Sequence, residues 1–217
     1  MGKSVYSIVL NDEVVEAIDE LAYRAGTNRS GLINSILAEH IGCVTPEMRI
    51  REIFSLVEQS LEPRFLPTPQ PSGSVLLVRT ALRYKYKPTI KYSVELFRSF
   101  SGCVGRLKVG LRSQSAELTV LCGEFFAYWQ ALEKRLCGKL FKGGFPGEVS
   151  QKGYTRDFYE VGSGGLTDEE IAESITGYIR CFDRAISACV EAGNVDSAAP
   201  QCEKLYEEYL AAGVKIV

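Results

Sequence analysis

The sequence holds one histidine, His40, in 217 residues. One imidazole cannot build a His-x-His metal grip, an H-E-x-x-H zinc site or a several-histidine metal centre. Its place in the N-terminal fifth leaves the rest of the chain without the base of a Ser-His-Asp or Cys-His constellation. At the end of a helical pattern, His40 is expected to cap that helix or face solvent. No apolar run approaches the roughly 20 residues that span a bilayer. The start, "MGKSVYSIVLNDEVV", lacks the apolar core and small-residue cleavage site of a signal peptide, so a cytoplasmic protein is expected. Seven cysteines (Cys43, Cys103, Cys122, Cys137, Cys181, Cys189 and Cys202) include no C-x-x-C pair. Several fall at apolar positions of helical patterns, which predicts reduced, buried thiols rather than a disulfide framework or a zinc site. No metal, no cofactor and no enzymatic activity are expected. "GYTRDFYE" sets Tyr154 and Tyr159 near Arg156, yet tyrosine-based strand transfer would call for histidines. Only carboxylate chemistry is left, with the acids of the C-terminal helices as its candidates.

Charge is scarce as a net quantity, −2 overall, but it is segregated. Residues 1–48 hold 3 basic and 7 acidic residues, residues 79–112 hold 9 basic and a single acid, Glu95, and residues 150–217 hold 6 basic and 12 acidic. The basic block says more about partners than the total does.

In "VYSIVL" the two-residue period of a strand puts Tyr6, Ile8 and Leu10 on one side and Val5, Ser7 and Val9 on the other. Asn11 sits where an N-cap belongs, with Asp12 and Glu13 in the first turn. Val14, Ile18, Leu21, Ala22 and Ala25 recur at helical spacing, and Gly26 supplies the left-handed stop. Asn28 caps a second helix whose Leu32, Ile33, Ile36, Leu37 and Ile41 share a face, and Gly42 closes it.

A strand, a helix, a glycine turn and a capped helix within about 40 residues resemble the ribbon-helix-helix family, the Arc/MetJ/CopG class of repressors. The resemblance covers roughly residues 3–42, and "AGTNRSGLI" matches the turn and second-helix start. It implies a homodimer in which the strand pairs antiparallel with its copy, with Tyr6, Ile8 and Leu10 in the dimer core. It also implies a paired ribbon in the major groove of double-stranded DNA. Mapped residue by residue, the DNA contacts would be Lys3, Val5, Ser7 and Val9 on the strand, with Asn28, Arg29 and Ser30 at the second helix start, where free N–H groups suit a phosphate. The chain departs from the family pattern in two respects. Two of the three outward strand residues are valine, able only to touch a thymine methyl, and the segment's charge balance is negative.

Thr45 and Pro46 open a further helix with Ile50, Ile53, Phe54, Val57 and Leu61 on one face. "EPRFLPTPQPSGS" then carries four prolines and reads as an extended linker. The expected organisation is α+β: a ribbon-helix-helix domain at 1–44, a helix and Pro-rich linker at 45–73, and a domain at 74–217. The last is expected to be an antiparallel three-stranded sheet packed with helices. Alternation in "SVLLVRTALRYKY" (Leu76, Val78, Leu82, Tyr84, Tyr86), "PTIKYSVEL" (Ile90, Tyr92, Val94, Leu96) and "CVGRLKVGLR" (Cys103, Leu107, Val109, Leu111) gives each strand one buried and one wet face. The wet face would carry Arg79, Arg83, Lys85, Lys91, Arg106, Lys108 and Arg112. Three readings stand: a solvated face, a face answered by the acidic C-terminal helices, or a surface for nucleic acid or another anion. Ser115 caps a helix whose Leu118, Leu121, Cys122, Phe125, Phe126, Trp129 and Leu132 form a core stripe. "GSGGLTDEE" resembles a phosphate loop only superficially, because Thr167 with Glu170 makes a capping box and three acids would repel phosphate.

The function expected is a dimeric DNA-binding transcriptional regulator, a repressor by resemblance. Its C-terminal domain would sense a ligand or protein partner, oligomerise or add nucleic-acid contacts. The alternative is an accessory or scaffold protein of a plasmid, partition or phage system whose ribbon only dimerises. No membrane association is expected.

Overall fold

The computed structural model describes residues 4–68, 73–98, 102–141, 143–150, 153–162 and 165–217. Three helices come first: α1 (Asp12–Arg24), α2 (Arg29–His40) and α3 (Pro46–Ser60). Four strands follow, β1 (Leu66–Thr68), β2 (Val75–Ala81), β3 (Thr89–Leu96) and β4 (Cys103–Arg112), then α4 (Ala116–Cys137) and the hairpin β5 (Gly147–Ser150) and β6 (Gly153–Tyr159). Helices α5 (Asp168–Ala192) and α6 (Val195–Ala211) complete the order. The class is α+β, but the sheet has six strands in the order β1-β2-β3-β4-β6-β5, all antiparallel, rather than the three expected.

Two of the three extra strands were hidden by a residue type. β1 contains Pro67, whose missing N–H is tolerable only because β1 is an edge strand. β6 puts Tyr154, Arg156 and Phe158 on the buried face, so an arginine interrupts the apolar period. β2 also ends earlier than its alternation suggested. The chain turns after Ala81, with Tyr86 and Lys87 at φ 64° and 43° and the Leu82 amide donating to the Pro88 carbonyl at 2.8 Å. Arg83, Lys85 and the exposed Tyr86 therefore belong to that turn and not to a strand. At the start of β4 a bulge shifts register between Cys103 and Gly105. A Cβ on Gly105 would stand 2.4 Å from the Glu95 carbonyl oxygen, so only glycine lets the two backbones approach so closely.

Helices α3 to α6 share one hydrophobic core with one face of the sheet. Ile90, Tyr92, Val94 and Leu96 of β3 meet the α4 stripe of Leu118, Cys122, Phe125, Phe126, Trp129 and Leu132. Phe182 of α5 lies at the centre, with ring contacts to Tyr92, Phe125, Phe126, Trp129, Tyr154 and Tyr178. The sequence grouped α3 with the linker, but its Ile50, Ile53, Phe54 and Val57 are core residues, and so is Phe65 beyond it. Polar ties hold α3 to α5: Arg49 Nε lies 2.5 Å from Asp168 and its Nη2 donates to the Leu166 carbonyl at 2.6 Å, while Arg180 bonds the Ser60 carbonyl and Glu62.

Asn11 holds the N-cap position of α1 but its side chain makes no cap hydrogen bond, whereas the other four expected caps form. Asn28 accepts from the Gly31 amide, Thr45 from Met48 and Ser115 from Leu118, and Thr167 with Glu170 closes a capping box. Residues 4–11 make no strand pairing within the chain. No residue of α1 or α2 joins the core cluster, and only Ala22 and Ala38 of these helices are buried. Among the described residues, no helix is long and apolar enough to cross a membrane.

Candidate nucleic-acid interface

Residues 4–10, expected as a strand, are not in one, and the expected alternation in exposure holds only in part. Val5 and Val9 are 99% and 100% exposed, whereas Ile8 and Leu10 fall to 56% and 36%. Ser7 shares the outward side and is exposed, and Tyr6 is exposed too. Lys3 lies outside the described residues. At the start of α2, Asn28, Arg29 and Ser30 are all exposed. Arg29 is engaged already: its Nε donates to Asp19 Oδ1 at 2.7 Å and its Nη2 to Oδ2, a two-pronged clamp between α1 and α2. The hydrogen bonds from Arg29 hold the Asp19 carboxyl below its ordinary range.

The sheet separates the seven basic residues. Arg79, Lys91, Arg106, Lys108 and Arg112 share the face turned away from the core, while Arg83 and Lys85 sit on the β2–β3 turn. Arg106 is taken by its cross-strand neighbour Asp157, with Nε 2.5 Å from Oδ1 and Nη2 3.0 Å from Oδ2. That carboxylate pushes the Arg106 guanidinium further up. Arg79 lies opposite Lys91, Lys91 opposite Gly110, and Lys108 and Arg112 stand two residues to either side of Gly110. The acidic helices α5 and α6 pack on the other side of the sheet, so the reading in which they answer this charge does not hold.

Two buried polar clusters are not among the sequence expectations. In the first, the Glu133 carboxylate of α4 accepts from the Arg156 guanidinium and the Tyr154 hydroxyl, all three nearly or wholly without solvent contact. Arg156 Nη1 also donates to Tyr206 at 3.4 Å, and its Cζ lies 4.7 Å from the Tyr178 ring centre. Among the described residues, Nε and Nη2 of Arg156 have no hydrogen-bond partner. Burial pushes the Glu133 carboxyl up, against the pull of the guanidinium and the tyrosines. A cavity of about 580 Å³ lies alongside, and Phe145 lines it while its ring centre stands 5.7 Å from Arg156 Cζ. In the second cluster, Asp183 accepts from Thr80 at 2.6 Å and Tyr92 at 2.9 Å and pairs with Arg64 at 3.0 Å. This ties the segment after α3 to the core. A charged residue inside an otherwise apolar period was the one available signal, in β6 for Arg156 and in α4 for Glu133.

Compared with known protein families, with curated proteins and with solved structures, the chain matches none.

Proposed function

We propose that the chain is a dimeric DNA-binding regulator of ribbon-helix-helix type. Its N-terminal strand would pair with the same strand of a second copy, and the α+β unit would carry a sensing, oligomerising or additional DNA-contacting role. The observation that carries this reading is the apolar surface left uncovered on residues 4–11, α1 and α2. Among the described residues, twelve of the 18 large hydrophobic residues that stay exposed fall between Val5 and Val44, among them Ile8, Leu21, Ile36, Leu37 and Ile41. Uncovered apolar area of this extent marks an association surface. A segment of some 40 residues also needs a partner to bury enough of it. Pairing two copies would satisfy the strand's backbone donors and acceptors as well.

A second reading, in which the ribbon only dimerises and the chain serves as an accessory or scaffold, is favoured by Arg29 being held by Asp19 and by the exposed valines at positions 5 and 9. Light scattering and selection from a random duplex library separate the two. A dimer that enriches a two-fold symmetric sequence supports the regulator. A dimer without sequence preference supports the scaffold, and a monomer overturns both.

A further inference from the structure

We propose that the open face of the sheet is a second contact to duplex DNA, made through phosphates and independent of base sequence, with Arg79, Lys91, Lys108 and Arg112 as its cations. This rests on the reading that the chain engages duplex DNA, and it adds a surface remote in sequence from the ribbon.

The register concentrates charge in one place. Lys91 has Arg79 directly opposite it on β2 and Lys108 and Arg112 at the two diagonal positions on β4. Like charges directly opposite across a sheet are destabilising. None of the four is in an ion pair among the described residues; Arg79 donates a side-chain hydrogen bond to Thr68 Oγ1 at 3.0 Å. Asp157, an acid of the same face, is occupied by Arg106. Gly110 lies opposite Lys91 and between Lys108 and Arg112, and an added Cβ there would meet nothing within 4 Å. No close approach forces glycine there, although a strand-interior glycine is less stable than alanine. What glycine does leave is an open floor between these three cations, with Arg79 just beyond Lys91. A bound phosphate would offset the repulsion around that floor.

The chemistry of the face selects the kind of polyanion. The cross-strand rows Leu77–Ser93–Lys108–Thr155 and Arg79–Lys91–Gly110–Gly153 contain no aromatic ring. Single strands are held largely by stacking bases on aromatic side chains, whereas a duplex presents phosphates alone to such a face. The charge distribution points the same way. Residues 1–48 carry four more acids than bases, so a ribbon placed on DNA needs cations from elsewhere in the chain.

The test is fluorescence anisotropy of the full-length chain with a labelled duplex of scrambled sequence over a salt series. It compares wild type, Lys91→Gln/Lys108→Gln and Gly110→Glu. Each phosphate contact contributes roughly 0.9 to the slope of log affinity against log salt. The double variant should therefore lose about two units per binding chain, and Gly110→Glu should weaken binding with its thermal transition unchanged. Unchanged slope and affinity in both variants overturn the proposal, as does a wild-type chain that binds anionic vesicles or heparin but no duplex. Failure of the ribbon reading looks different. In that case Ile8→Asp leaves mass and duplex affinity as in wild type, while the sheet variants still lose slope.

Discussion

The two ends of this molecule treat apolar side chains in opposite ways. From residue 46 onward, the hydrophobic residues of four helices and one sheet face close on a single core in which Ile53, Val57, Phe125, Trp129 and Phe182 have no exposure. In α1 and α2, apolar spacing buries only two alanines. The amphipathic pattern of α1 is as marked as that of α5; what differs is whether the chain supplies the opposing surface. An amphipathic pattern therefore predicts a buried face without saying which molecule will bury it.

The largest effect should come from unpairing the interior. Arg156→Met leaves Glu133 buried without its cation and should cost about 3–5 kcal/mol of unfolding free energy by chemical denaturation. The double change Glu133→Met/Arg156→Met should recover much of that loss, because no lone charge remains. Equal losses in the single and double variants would mean that the pair does not act as a unit. Next is the N-terminal half of the comparison. Ile8→Asp should shift the dimer dissociation constant by about a hundredfold or more, since a carboxylate would enter a shared core. The main thermal transition should stay in place, because Ile8 touches no core residue of the α+β unit. A folded variant that stays dimeric would sink the strand-pairing arrangement.

Thiol chemistry reads the same contrast residue by residue. Cys43 is exposed and Cys103 half-buried, while Cys122, Cys137, Cys181, Cys189 and Cys202 are buried. Burial also pushes the Cys122 and Cys189 thiols up to about 12 and Cys202 to about 11, which starves them of reactive thiolate. Titration of the native protein should modify Cys43 first and Cys103 next, with five thiols released only in denaturant. The smallest effect concerns Asp19. Its carboxyl is lowered in the fold by Arg29, so what the clamp contributes is present above the ordinary carboxylate range and lost as pH falls through the lowered value. Arg29→Gln should return the Asp19 midpoint upward in a carbon-detected titration. In the wild-type chain, duplex DNA should do the same if Arg29 moves to a phosphate.

Much of this architecture could be read from residue order, and the failures have particular causes. β3 was legible because Ile90, Tyr92, Val94 and Leu96 alternate without a break, and α4 because its aromatic stripe keeps helical spacing. The caps at Asn28, Thr45, Ser115 and Thr167 are local chemistry and were visible for that reason. β6 was not legible, because Arg156 occupies a core position made tolerable only by Glu133, 23 residues earlier in the chain. The end of β2 was missed because Leu82 continues the alternation and is buried, but in a turn rather than a strand. The basic face could be named by residue type. Its division into an occupied Arg106, two turn residues and a quartet near Gly110 depends on cross-strand register, which sequence does not encode locally.

The place of α3 in the core moves the link between the N-terminal helices and the α+β unit to residues 41–45. Prolines suggested a long spacer at 62–74, but α3 and Phe65 are built into the α+β unit, and residues 41–45 alone separate α2 from it. Five residues reach at most roughly 18 Å, at up to about 3.6 Å each. Thr45 shortens that reach further, since it is buried and its hydroxyl caps α3 at 3.2 Å. On so brief a tether, a sheet face brought to DNA by its ribbon samples the same few turns of duplex at high local concentration. A weak contact there would multiply affinity through avidity rather than compete for distant sites. Lengthening residues 41–45 with glycine and serine, with every contact residue untouched, would progressively uncouple the two.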